Sequence, residues 1–361
     1  MSDTPSFGDA LDISRNLWMQ SFPDEGDYTD FYFSRRCTQN VMLCLHSAEG
    51  VFDSAFQLFP YEMNLKGIST HVLYMSGVCT RPDMRGKGYM EHCMRENLAR
   101  QTDAALVTLI PANEKLFAYY ERFGFHTISK REMKEYTDYN MHTSYMDMLI
   151  EDIPAVSASA EQRHRIYTMF HRHWKNMSDA IIHTEEDFQS VLDAYIPDQL
   201  HLLSGCLSAN KDTAIAAALY SERSSEIIVH DFMDSGHNGS ENALLLYLYH
   251  KKQSLQSGVS KENKPLRYFS YTNKPFMMAR VLNASRAIEL YFKTNKYKNT
   301  GIHLIDDFLR DNTGYYSIQS GEISKDDSPM EDIQYACMTQ EELIASLFHE
   351  TELHASLMLD Y

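Results

Sequence analysis

The ten residues RPDMRGKGYM (Arg81–Met90) place Pro82, two glycines, Arg85 and Lys87 between an apolar run, THVLYMSGVCT (Thr70–Thr80), and a helix-like run. The apolar run is rich in β-branched residues and reads as a strand. Beyond the loop, Met90, Met94 and Leu98 recur at i, i+4 and i+8, the buried stripe of a helix. Glycines at such a strand-to-helix junction let successive backbone N–H groups point into one concavity, and the helix N-terminus adds partial positive charge. Arg81, Arg85 and Lys87 concentrate positive charge beside it. The stretch therefore predicts an anion-holding loop, for which nucleotide, dinucleotide and coenzyme phosphates are all candidates.

Spacing separates these. A Walker loop requires Ser or Thr after its GK pair, whereas Gly88 is followed by Tyr89. A dinucleotide fingerprint requires a small third residue. Gly86 and Gly88 supply its first two positions, but Glu91 occupies the third and would crowd the helix and repel a pyrophosphate. A pyrophosphate lying across Arg85-Gly86-Lys87-Gly88 fits. Upstream, VMLCLHSAEGVFDSAFQLFPYEM reads as short strands about a Glu49-Gly50 turn. Downstream, ALVTLI (Ala105–Ile110) is an apolar strand, and Pro111-Ala112-Asn113 opens a helix, KLFAYYERF, closed at Gly124. The first 150 residues thus predict a mixed α/β layer fold, with a helix on each side of a central strand pair.

GVCTRPDMRGKGYM, LVTLIP and LFAYYERFGF, in that order and spacing, resemble the acetyl-coenzyme A signature of GNAT-type N-acetyltransferases. The family's loop pattern is Gln/Arg-x-x-Gly-x-Gly/Ala; Arg85 and Gly88 match it, and Met90 replaces the final small residue. The resemblance implies that the backbone of Val78 and Thr80, with Cys79 between them, meets the pantetheine arm. It also implies that Arg85, Gly86, Lys87, Gly88, Tyr89 and Met90 take the pyrophosphate, with Asn113 counted among the coenzyme ligands.

EDIPAVSASAEQ (Glu151–Gln162) is small and polar and reads as a linker. Beyond it a helix over His164–Trp174 and a longer one near Phe188–Tyr195 are expected. Strands at HLLSGCL, AIAAALY and EIIVHDFMD, the turn SGHNGS, the helix ENALLLYLYHKKQ and the strand RYFSYTN then repeat the first pattern. From Pro275, RVLNASRAIELYF reads as an amphipathic helix, IHLIDDFLRDNTGYYSIQSGEI as a hairpin, and Thr339-Gln340-Glu341-Glu342 as a capping box before LIASLF. The whole arrangement resembles the enhanced-intracellular-survival (Eis) acetyltransferases. It implies an α/β (α+β) architecture of two tandem GNAT-like mixed-sheet domains, a catalytic one over 1–150 and a degenerate one over 151–274. A smaller sterol-carrier-protein-like domain follows over 275–361. SGHNGS lacks the Arg-x-x-Gly pattern, so the second copy is expected not to bind coenzyme.

Lys plus Arg number 33 against 50 Asp plus Glu, and the net charge of −17 repels nucleic acid and anionic membrane. No run of eighteen apolar residues occurs, and no secretory leader is read at MSDTPSFGDALDISRN. The six cysteines are scattered without a CxxC pair, as in a cytoplasmic protein with reduced thiols. In HRIYTMFHRHW, His164 and His171 share a helix face with no further ligand, which reads as a polar face and not a metal site.

Amide formation requires a neutral amine, a polarised thioester and a proton for the leaving thiolate. Tyr120 lies four residues after Leu116 and three before Phe123, on the apolar face of its helix, while Tyr119 is expected to point elsewhere. The family resemblance makes Tyr120 the general acid. It also makes the α-carboxylate of Tyr361 the base; such a group has an intrinsic pKa of about 3.3–3.7, and burial raises its basicity. Trp18, Phe22, Asp24 and Glu25 form an acidic, aromatic segment suited to an ammonium-bearing acceptor. The expected activity is acetyl transfer from acetyl-CoA to a primary amine, on a small molecule or a lysine, by direct attack in a ternary complex within a homo-oligomer. A non-catalytic acyl-CoA or lipid binder is the alternative. A tandem-GNAT aminoacyl transferase acting with charged tRNA is disfavoured by the net charge.

Overall fold

The computed structural model describes residues 5–23, 26–136, 148–194, 200–207, 210–222, 226–234, 240–255, 266–294, 300–319, 322–356 and 358. The chain forms two compact units, one of Met1–Lys130 with Pro275–Leu353 and Asp360–Tyr361, the other of Arg131–Lys274 with His354–Leu359.

The first unit opens with α1 (Phe7–Ser21), capped where the Ser6 side chain accepts from the Asp9 N–H, and α2 (Gly26–Phe31). Buried Leu17 and Trp18 face inward from α1. β1 (Met42–Ala48) and β2 (Val51–Leu65) turn about Glu49-Gly50, and β3 (Ile68–Thr80) completes an antiparallel meander. The loop then leads into α3 (Tyr89–Leu98), the parallel strand β4 (Leu106–Leu109), α4 (Glu114–Glu121) and β5 (His126–Glu135). Met90, Met94 and Leu98 are all buried, as their spacing requires, in a core with Phe56, Leu58, Leu73 and Val107.

The expected linker is ordered structure instead. Glu151–Pro154 belong to β6 (Met148–Pro154), and Ser159 and Gln162 form a complete capping box at the start of α5 (Ala160–Asn176). A small polar run is also what a strand end followed by a helix cap looks like. β7 (Ala180–Ile182) and α6 (Glu185–Ala194) follow; α5, with 17 residues, is the longer helix, not α6 with 10. β8 (Leu200–Leu207), β9 (Asn210–Glu222) and β10 (Ile227–Asp234) are antiparallel. α7 (Ser240–Leu255) crosses to the start of β11 (Leu266–Val281), which pairs in parallel with β10 at Leu266–Tyr268. SGHNGS falls mostly outside the described residues.

The chain re-enters the first unit at Pro275. Here a sequence expectation is corrected: Arg280 and Val281 are strand, with Met278–Val281 antiparallel to β4, and the helix α8 (Ala284–Thr294) starts later. Arg280 sits inside a strand because its guanidinium is fully buried against Asp306 at 2.7 Å and donates to the Phe123 carbonyl at 2.5 Å. A four-stranded sheet in the order β14-β13-β12-β15 follows, from β12 (Thr300–Ile305), β13 (Gly314–Gln319), β14 (Glu322–Asp326) and β15 (Gln334–Thr339). The β12–β13 hairpin was legible; β15, parallel to β12, was not. The capping box of Thr339 and Glu342 opens α9 (Gln340–Leu347) as expected.

Candidate active site

β3 and β4 are paired only at Val72–Tyr74 against Leu106–Thr108, although β3 runs on to Thr80. The strands part where β3 carries a bulge: Ser76 faces Gln57 and Cys79 faces Ala55, so Gly77 and Val78 stand opposite Phe56 alone. Gly77 has φ +62°, and a Cβ there would lie 2.5 Å from the Trp18 ring and nearer still to the Gln57 amide oxygen. A bulge bends its strand and increases its twist. Trp18 is thus a buried wedge beneath the bulge, packed against the Tyr32 ring at 4.5 Å with the planes tilted by 33°.

The loop after β3 is held at its start by a bidentate Arg81–Asp83 contact (3.1 and 2.9 Å), and the Arg81 guanidinium lowers the Asp83 pKa. Arg85 Nε donates back to the Thr80 carbonyl at 3.0 Å, and Lys87 Nζ lies 3.5 Å from the Met84 sulfur. The three cations are therefore not converged on one point. Gly86 (φ +74°) and Gly88 (φ +84°) take the left-handed conformation, and a Cβ at either would meet nothing within 4 Å. Gly88 is the N-cap of α3, and no side chain caps that first turn. The concavity in front of Tyr89, Met90 and Glu91 is thus open and lined by helix N–H groups, an arrangement that fits a phosphate.

Between the parted strand, the loop and α4 lies a cavity of about 400 Å³. It brings together Phe22, Val78, Cys79, Thr80, Arg85, Gly86, Gly88, Tyr89, Met90 and Tyr120 of the expected site. Lys87 and Asn113 are outside its lining; Asn113 instead caps α4 by accepting from the Lys115 N–H at 3.1 Å. Trp18 is under the bulge, and Asp24, Glu25 and Tyr361 lie outside the described residues. Met90 does not disturb the helix start: its side chain is buried in the core and reaches the cavity wall.

Tyr120 is buried, edge-on to Tyr119 at 5.3 Å and to Phe125 at 5.6 Å. Tyr119 does not point elsewhere but lines the same cavity, and burial raises its pKa. Successive helical residues diverge by 100°, yet two long aromatic side chains still reach one concave surface. Arg122, also in the lining, lies over Tyr119 at 5.7 Å and was missed; its place three residues after Tyr119, at the C-cap of α4, was the available signal. Burial pushes the Cys79 thiol up to about 12, so it stays protonated and is a poor nucleophile. Among the described residues no group of three or more His, Cys, Asp or Glu could hold a metal; His164 is paired with Glu185 at 2.7 Å.

Residues 8–128 match the acetyltransferase (GNAT) domain family. The parted strands, the loop and Tyr120 all fall within the matched residues. No curated protein matches the chain. Among solved structures, the chain resembles a conserved Enterococcus faecalis protein of unknown function described as a "Probable N-Acyltransferase". Its TM-score is 0.67 at 14% identity, over 92% of this chain and 86% of that one. A GCN5-related N-acetyltransferase from Anabaena variabilis gives 0.67 at 13%, over 94% and 86%. The Eis1 protein of Mycobacterium abscessus gives 0.59 at 10%, over 95% and 87%. At such identities the likeness is one of fold. No described helix is long and apolar enough to cross a membrane.

Proposed function

We propose that the GNAT domain transfers an acetyl group from acetyl-CoA to a primary amine by direct attack in a ternary complex. The observation that carries this reading is the cavity in which a strand edge released from its partner, an uncapped helix N-terminus and a tyrosine meet. Acetyl-CoA would supply the activated thioester. The edge at Val78, Cys79 and Thr80 would bind its pantetheine arm by backbone hydrogen bonds. Thr80 offers less than Val78, because its carbonyl already accepts from Arg85 and from Ser21 Oγ at 3.3 Å. Arg85, Gly86, Lys87, Gly88, Tyr89 and Met90 would hold the pyrophosphate, and Asn113 would fix the facing helix. Tyr120 would give its phenolic proton to the leaving thiolate. The protonated Cys79 thiol supports direct attack over an acetyl-cysteine route.

The α-carboxylate of Tyr361 is proposed as the base, and Trp18, Phe22, Asp24 and Glu25 as the acceptor side. The three-part division (1–150, 151–274 and 275–361) belongs to the same reading. In its support, β8, β9, β10, α7 and β11 repeat the pairing order of β1, β2, β3, α3 and β4. In this reading the small sheet after α8 would belong to the sterol-carrier-like domain, and a cytoplasmic homo-oligomer is expected.

The test is thiol release from acetyl-CoA with a panel of polyamines, aminoglycosides and lysine peptides. Tyr120→Phe should keep wild-type coenzyme affinity while turnover falls by about 10²–10⁴, the range of general acid catalysis. Tyr119→Phe serves as the control in the same cavity. Wild-type turnover by Tyr120→Phe refutes the acid assignment, and wild-type turnover with one residue added after Tyr361 refutes the base. Saturable coenzyme binding without thiol release for any amine would leave a non-catalytic binder.

A further inference from the structure

Asp306 is a buried carboxylate that organises a second part of the first unit. Its Oδ1 accepts from the N–H groups of Phe308 and Leu309 at 3.1 and 2.9 Å, and its Oδ2 from Arg280 and Asn312 at 2.7 and 3.0 Å. Asn312 in turn accepts from the Ala284 N–H at 3.1 Å, and the Tyr316 hydroxyl donates to the Asn312 carbonyl at 2.7 Å. The loop from Asp306 to Asn312 is thereby fixed against the start of α8. Between this loop and the end of α3 lies a cavity of about 590 Å³, larger than the one at the acetyl site.

Its floor is apolar and well packed: Leu282, Phe308, Leu309 and Tyr316 are all buried. Its charged lining is Arg95, Arg310 and Lys325 against the single carboxylate of Asp311, a local reversal of sign in a chain of net charge −17. Arg95 is engaged by Glu91 at 3.0 Å and lies over the Phe308 ring at 4.3 Å. Lys325 Nζ donates to the Asp311 carbonyl at 2.5 Å, and among the described residues neither it nor Arg310 has an ion-pair partner. An apolar floor with a few convergent polar groups is the usual make-up of a small-molecule pocket, and uncompensated cations select the sign of the ligand.

We propose that this cavity is a second ligand site, which takes a small organic anion with an apolar body. The anionic group meets Arg310 and Lys325, and the body lies on Phe308, Leu309 and Tyr316. The site is separate from the acetyl cavity but abuts it, since Phe308 packs on Phe123 at 5.4 Å and Phe123 lines the other cavity.

Calorimetric titration of the full-length protein with naphthoate, and with its neutral primary amide, tests the assignment. Naphthoate should bind saturably and the amide at least about tenfold more weakly, a difference of about 1.4 kcal/mol. Arg310→Glu combined with Lys325→Glu, both at exposed positions, should weaken naphthoate by about tenfold or more. Ala99→Trp, which fills the mouth from the exposed end of α3, should abolish binding. Saturating acetyl-CoA should leave the isotherm in place. The proposal fails if the amide binds as tightly, if these variants bind like wild type, if acetyl-CoA displaces naphthoate into competition, or if no saturable binding occurs.

Discussion

Replacing Gly77 by alanine should cost more stability than replacing either glycine of the Arg85–Met90 loop, and under the proposed function it should cost coenzyme binding as well. The backbone part of the cost is shared: Gly77 at φ +62° and Gly86 at φ +74° both lie where an L side chain is strained, by about 1–2 kcal/mol. The gain from a stiffer unfolded chain, about 0.4–1 kcal/mol for Gly→Ala, is also common to both and cancels in their difference. What remains is packing. A Cβ at Gly86 meets nothing within 4 Å, while one at Gly77 drives into the Trp18 ring and the Gln57 side chain, both buried. Overpacking of this kind typically costs about 1–3 kcal/mol. Gly77→Ala should therefore be less stable than Gly86→Ala by about 1–3 kcal/mol in urea unfolding, read as a lower midpoint at unchanged slope. Relief of the clash requires Trp18 or the bulge to move, and the bulge lies in the stretch of β3 beyond its pairing with β4. Coenzyme affinity should therefore fall in Gly77→Ala. Equal unfolding free energies for the two variants, within about 0.5 kcal/mol, would refute the wedge.

Two further expectations concern buried charge. Arg280→Met strands the Asp306 carboxylate in the core and should cost about 3–5 kcal/mol, with Arg280→Met plus Asp306→Asn recovering part of it in the same urea assay. In the second unit, burial alone would raise the pKa of Asp231, but His354 and hydrogen bonds from Ser356 and the Phe232 N–H hold it down to about 2. A depressed folded pKa gives stability that is complete above the unfolded value near 3.9 and is lost as pH falls towards about 2. Acid unfolding between those limits should be less steep in Asp231→Asn, and identical acid profiles would exclude the contribution.

What the sequence made legible was local. The stripe Met90, Met94, Leu98 lies within one helix, and the β-branched run before the loop lies within one strand, so nearest-neighbour periodicity sufficed. What it hid depends on partners far along the chain. Arg280 in an apolar run reads as the polar side of a helix, because its partner Asp306 is 26 residues away and the Phe123 carbonyl 157. Gly77 reads as a strand residue, because the wedge that makes it special is on α1, whose Trp18 reads in the sequence as part of the acidic, aromatic acceptor segment. A bulge leaves no trace in an alternation pattern that is apolar on both faces.

The same distinction changes how the loop itself works. Counting Arg81, Arg85 and Lys87 suggests a cluster of cations as the anion's partner. In the structure, Arg81 is spent on Asp83 and Arg85 hooks onto the end of its own strand, so both side chains shape the loop before any ligand is considered. The positive character that converges on the cavity comes from the first turn of α3, opened by the left-handed Gly88, and from Arg122 across the cleft. Backbone N–H groups are fixed in direction and pay no side-chain entropy on binding, whereas long cations do. Under the proposed function, a chain with a net charge of −17 holds its polyanion without a basic surface, because the selecting dipoles would be those of the glycine turn.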